Sequence, residues 1–104
     1  MPIVDVSVVP IGTETTSVSK FVREAVRVIK KSGLKFQTSS MGTAIEGDLD
    51  KVFKTIQEIH QVCFAKGAKR LLTTIKIDDR RDKQITMESK VKAVTEALKR
   101  REVK

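Results

Sequence analysis

The order in which the hydrophobic period changes along this chain restricts its fold more than any other feature. Ile3–Val9 (IVDVSVV) alternates with period two, placing Val4, Val6 and Val8 on one side and Asp5, Ser7 and Val9 on the other. After Pro10 and the polar loop IGTETTS the period becomes helical, with Val18, Phe21, Val22, Ala25, Val26 and Ile29 on one stripe. Thr16 or Ser17 is placed to cap this helix, Lys30 and Lys31 complement its C-terminal dipole, and Gly33 supplies a left-handed stop. Leu34–Ser40 and Thr43–Glu46 return to strand character around a turn at Met41 and Gly42. A second helix starts at Asp48 or Asp50 and ends at Gly67. It sets Leu49, Val52, Phe53, Ile56, Ile59, His60, Cys63 and Phe64 along one side. Arg70–Asp78 is a fourth strand, with Leu71, Thr73, Ile75 and Ile77 opposite Leu72, Thr74 and Lys76. The charged loop DDRRDKQI leads to a last helix opened by Thr86, whose apolar residues are Val91, Val94, Ala97 and Leu98.

The order βαββαβ plus a C-terminal helix predicts an α+β, ferredoxin-like fold. In it a four-stranded antiparallel sheet carries two helices on one face. Right-handed crossovers place the first and third strands in the centre. At 104 residues, one domain over 1–104 is expected. The helices should cover Val4, Val6, Val8, Ile45, Ile75 and Ile77. The other face should then carry Asp5, Ser7, Val9, Ala44, Glu46, Leu72, Thr74 and Lys76. That mixture is too apolar for a wet surface and too polar for a core. It suits either a subunit interface or the floor of a ligand site.

The residues set limits on chemistry. No apolar run approaches the roughly 18–20 residues that span a bilayer, and the first ten residues lack a basic leader. A small soluble cytoplasmic protein is expected. The single Cys63 has no disulfide partner and reads as a small core hydrophobe. With His60 it falls short of the three or four ligands of a metal site, so no metal is expected. His60, the only histidine, lies on the apolar stripe of its helix without a nucleophile or acid nearby. It reads as a core or interface residue rather than a general base. GxGxxG, GxxxxGK[ST] and GxSxG are all missing, so neither an enzyme nor a cofactor is expected.

Lys and Arg number 21 against 13 Asp and Glu, a net charge of +8. Seven basic and three acidic residues lie in Lys83–Lys104, the pattern of a solvated helix face and tail. Without Trp or Tyr, and with only Phe36 on a strand, the sheet has no platform for stacking bases. Nonspecific phosphate attraction aside, nucleic acid is not an expected partner. In DDRRD (Asp78–Asp82), Arg80 and Arg81 either pair locally or reach an anionic ligand or neighbouring subunit.

Four segments together resemble a known family. They are SVVPIGT (Ser7–Thr13), MGTAIEGDLD (Met41–Asp50), His60 on the second helix, and TTIKIDDRRDK (Thr73–Lys83). In this order, over nearly the whole chain, they are similar to the small thiamine-binding, YkoF-like proteins of archaea, bacteria and yeast. The resemblance implies ferredoxin-like protomers that pair into homodimers or homotetramers with their open sheet faces buried. It also implies non-enzymatic binding of thiamine, or of its hydroxymethylpyrimidine half, in vitamin uptake or salvage. On that implication Ser7, Thr38, Ser40, Thr43, Glu46 and Thr74 meet the donors and acceptors of an aminopyrimidine. Glu46 or Asp5 would offset a thiazolium, and stacking falls to Phe36 or Met41. Lys76, Arg80, Arg81 and His60 are then candidates for anion binding or subunit contact. A chain carrying +8 favours a phosphorylated ligand or the neutral pyrimidine over a free cation. The alternative is an oligomeric assembly protein that holds anions at Arg80 and Arg81 and has no vitamin ligand.

Overall fold

Two long strands and two short ones build the sheet in the computed structural model, which describes residues 1–12 and 19–103. The elements are β1 (Ile3–Pro10), α1 (Ser19–Ser32), β2 (Lys35–Thr38), β3 (Thr43–Glu46), α2 (Leu49–Ala65), β4 (Leu71–Asp78) and α3 (Met87–Val103). Every pairing is antiparallel and the spatial order is β2-β3-β1-β4, so the first and third strands are central as expected. This is the ferredoxin-like α+β arrangement with an added C-terminal helix. The cap at Thr16 or Ser17 and the first stripe residue Val18 lie outside the described residues.

α1 and α2 pack on one face, and the core lies beneath them. Val4, Val6, Val28, Ile29, Ile45, Val52, Ile56, Ile59, Cys63 and Ala68 are its buried members. Val28, left off the expected stripe, is buried beside Ile29, while Val22 sits at the exposed margin. Phe53 and Phe64 of α2 are also more exposed than the period implies, and Thr55 is buried instead. Its hydroxyl donates 2.8 Å to the Lys51 carbonyl within the helix, which removes the cost of burying it. Gly33 ends α1 at φ 78°, a left-handed conformation that only glycine adopts without strain.

Three expectations are corrected. Ile75 and Ile77 lie on the helix side of β4, opposite Val6 and Val4, yet are 39% and 42% exposed. β4 is an edge strand, and α2 meets it at Thr73 through His60, short of both isoleucines. β1 runs one residue beyond the expected Ile3–Val9, with Pro10 paired with Leu71 as its last residue. The face away from α1 and α2 is also not wholly open. Ile3, Ile85 and Met87 are buried there in a second cluster with Ala44 against it. The segment before α3 therefore folds under one end of the sheet. Thr86 caps α3, its Oγ1 accepting the Ser89 amide at 3.0 Å. Beyond its first turns α3 leaves the sheet, with Val91, Val94 and Leu98 all more than half exposed.

Candidate ligand-binding site

A mismatch in strand length creates a cavity. β1 and β4 run for 8 residues each, whereas β2 and β3 run for 4. The β1–β3 ladder stops at the pair Val6 and Thr43, while the β1–β4 ladder continues through Ser7, Val8 and Val9 to Pro10. Beside Ser7–Val9 there is thus a gap where a longer β3 would have paired. The β2–β3 turn closes its far side, with the Ser39 amide donating to the Gly42 carbonyl at 2.8 Å. Val22, Ala25, Val26 and Ile29 of α1 form the roof, and Ile59 reaches it from α2. The cavity is open at one side and has a volume of about 270 Å³. That approaches the lower end of small-molecule sites.

Four of the six expected ligand residues border this cavity, Thr38 and Thr43 in register with Val6 on the helix side and Ser7 from the other side of β1. Ser7, Thr38, Ser40 and Thr43 line the cavity among otherwise aliphatic walls. Thr43 is buried, Ser7 is half-buried, and Thr38 and Ser40 stand at the mouth with the exposed Met41. No side-chain hydrogen bond involves these four hydroxyls among the described residues. Among the same residues no buried polar side-chain atom lacks a partner, so the Thr43 hydroxyl opens onto the cavity rather than being sealed in. Among the described residues, neither carboxylates nor cationic side chains line the walls. Among the described residues, Asp5 brings a carboxylate up to the turn. Its Oδ1 lies 3.5 Å from where a Cβ on Gly42 would stand. That Cβ would also come within 3.0 Å of the Val6 carbonyl oxygen, so glycine is what lets the turn close against β1.

Glu46 and Thr74 are placed elsewhere. Glu46 occupies the opposite end of β3, where its Oε1 accepts the Met87 amide at 3.0 Å and its Oε2 lies 3.4 Å from Lys35 Nζ. Its carboxylate anchors the start of α3. Lys35 also donates to Glu88 at 2.6 Å, and this bond holds the Glu88 carboxyl below its usual range and the Lys35 ammonium above its own. Thr74 and Lys76 are exposed on β4, across β1 from the cavity. Phe36 pairs with Ile45 and packs against the core, so it is not available to stack on a ligand.

The remaining expected residues make local contacts. Arg80 grips Asp82 with two bonds of 2.7 and 3.1 Å, which pulls the Asp82 carboxyl down, and Arg81 donates to Asp79 at 3.1 Å. His60 Nε2 shares a 2.6 Å hydrogen bond with Thr73 Oγ1, and its ring meets Phe64 edge-on. It ties α2 to the edge strand. Cys63 is buried, and burial pushes its thiol upward. Among the described residues no cluster of His, Cys, Asp and Glu is arranged to hold a metal, and no helix is long and apolar enough to cross a membrane. Sequence reasoning missed the roof from α1 and the close approach of Gly42. The signal for the gap was nonetheless present, since a seven-residue alternation faced a four-residue TAIE.

Comparison with known proteins places the chain. Residues 4–95 match the family model described as thiamine-binding protein. UPF0045 protein YqgV of Bacillus subtilis is 45% identical over 102 residues, covering 94% of this chain and 98% of the relative. The crystal structure of MJ1052 from Methanocaldococcus jannaschii superposes with a TM-score of 0.83 at 42% identity, over 91% of this chain and 96% of that one. A Thermotoga maritima structure, named as a candidate thiamine biosynthesis/salvage protein, follows with a TM-score of 0.76 at 25% identity. It covers 89% of this chain and 97% of its own. The chain belongs to the thiamine-binding protein family.

Proposed function

We propose that this member of the thiamine-binding protein family holds thiamine or a related pyrimidine, without turning it over, in the cavity between β1, the β2–β3 turn and α1. The observation that carries the reading is that Ser7, Thr38, Ser40 and Thr43 border one aliphatic cavity, with their hydroxyls uncommitted among the described residues. A neutral aminopyrimidine needs a few well-placed donors and acceptors within apolar walls, and charged walls would penalise it. The cationic thiazolium would stay at the mouth, toward Asp5, where water and the carboxylate both favour it. Met41 at the turn tip, rather than Phe36, is the flexible apolar contact for the ring. The hydroxyls have no base beside them among the described residues, in keeping with a family described by binding.

The reading includes self-association in the cytoplasm as a homodimer or homotetramer. Its support is the exposed apolar set Val9 and Leu72 on the second sheet face, and Val91, Val94 and Leu98 on α3. The test is calorimetric titration of refolded, ligand-free protein with thiamine and with hydroxymethylpyrimidine. Micromolar or tighter binding is expected, with a rise in melting temperature that follows ligand concentration. Ser7→Ala and Thr43→Val should each weaken it about 3- to 10-fold, as loss of one neutral hydrogen bond does. Unchanged affinity in both variants, or no heat with either compound, overturns the assignment.

A further inference from the structure

The alternation of main-chain groups along β1 can be read at several independent points. The Ile11 amide donates 2.9 Å to the Arg70 carbonyl, so the odd-numbered residues aim their N–H and C=O at β4. The Gly47 amide donates 3.1 Å to the Pro2 carbonyl, on the β3 side. The Val6 carbonyl oxygen also faces that side, 3.0 Å from where a Gly42 Cβ would stand. Pro10, which has no N–H to give, sits in the strand at the same parity, where no ladder bond to β4 is lost. Even-numbered residues therefore aim at the β3 side. Val8 is even, the β1–β3 ladder ends at Val6, and Val8 lines the cavity. Among the described residues its N–H and C=O have no main-chain partner on that side.

We infer that this unpaired donor and acceptor of Val8 are the specificity element of the cavity. They take up the ring nitrogen and adjacent exocyclic amino group of a 4-aminopyrimidine as the missing ladder residue of β3 would have done. The inference rests on the proposed pyrimidine reading for the ligand and on the β1 geometry for the place. The Val8 N–H donates to the ring nitrogen, and the amino group donates to the Val8 carbonyl. The Ser7 and Thr43 hydroxyls, which can both donate and accept, adjust to the remaining polar atoms. A main-chain pair cannot rotate to suit a different ligand. The 4-oxo analogue, with its ring N–H and exocyclic oxygen, sets donor against donor and acceptor against acceptor. It should bind about 100-fold more weakly or worse.

The test is amide hydrogen exchange on the full-length, isotope-labelled chain, with and without 4-amino-5-hydroxymethyl-2-methylpyrimidine. In the free chain the Val8 amide should exchange at least tenfold faster than those of Ser7 and Val9, which the β4 ladder protects. Adding the pyrimidine should slow Val8 at least tenfold, and the 4-oxo analogue should leave it unchanged. Val8→Pro removes the N–H at a ladder-neutral position and should lose binding, while Val8→Ala, which keeps it, should retain most. The exchange measurement on the native chain decides the matter should Val8→Pro fail to fold. A Val8 amide already protected in the free chain overturns the inference. So does pyrimidine binding that leaves Val8 unprotected or tolerates the oxo analogue equally, although the proposed function then stands. Failure of the native chain to bind any pyrimidine overturns the proposed function itself, and this recognition with it.

Discussion

Replacing Glu46 separates an anchor from a ligand contact. Its carboxylate is 11% exposed, accepts the Met87 amide at 3.0 Å, and stands 3.4 Å from the half-exposed Lys35 ammonium. A main-chain hydrogen bond to a charged acceptor contributes about 1.5–3 kcal/mol. The Lys35 ammonium is open to solvent, so its pairing with Glu46 adds little. Glu46→Ala should therefore cost about 2 kcal/mol, a factor of about 30 between docked and released forms of the α3 start. Because α3 leaves the sheet after its first turns, this cost falls on α3 locally more than on the core. Amide exchange at Met87, Ser89 and Lys90 should accelerate about 30-fold, with partial loss of helical circular dichroism. Glu46→Gln, which keeps the acceptor, should show less than half of the effect. Thiamine or pyrimidine affinity should stay within about twofold of the native value, since Glu46 is at the far end of β3. Unchanged exchange at Met87 would refute the anchor. A tenfold loss of affinity with α3 intact would return Glu46 to the binding site.

Other outcomes follow from the same structure. Ile59→Ala, at a position 1% exposed that also reaches the cavity, should cost about 2–5 kcal/mol in urea unfolding and enlarge the space under α1. Thr73→Val should remove the His60 tether at a cost of about 1 kcal/mol, seen as a lower unfolding midpoint and faster exchange in β4. The Glu88 carboxyl is held below its ordinary 4.5 by the hydrogen bond from Lys35, so its contribution is present above that value and lost as pH falls through the depressed one. Acid titration should loosen the start of α3 before the core, and high salt should shift this step to higher pH. Cys63, buried and with its thiol pushed upward, should react with thiol reagents only at the rate of local opening.

The period-two run of β1 and the stripes of α1 and α2 were legible because each is a property of a short segment. Their order left one compact topology, and the observed strand order follows from it. Ser7, Thr38, Ser40 and Thr43 were singled out on the family resemblance together with Glu46 and Thr74, and nothing in the sequence separates the six. Glu46 looked equivalent to them in sequence, and only the return of the chain at Ile85–Met87 shows that it is spent on α3. Ile75 and Ile77 carried the pattern of core residues. Their exposure depends on where α2 stops along β4, which no local period encodes.

What the residues determined by themselves, then, is the sequence of elements, the side of each strand that seeks apolar cover, and the chemical character of the cavity wall. These follow from side-chain spacing and from steric and hydrogen-bonding preferences within a few residues. Tertiary structure decided which polar groups are consumed and which remain on offer. A carboxylate, an arginine or a strand amide is satisfied by whatever packs beside it, and its neighbours come from distant parts of the chain. Arg80 is taken by Asp82 and Glu46 by Met87, while the edge of β1 at Val8 is left unpaired where a short β3 runs out.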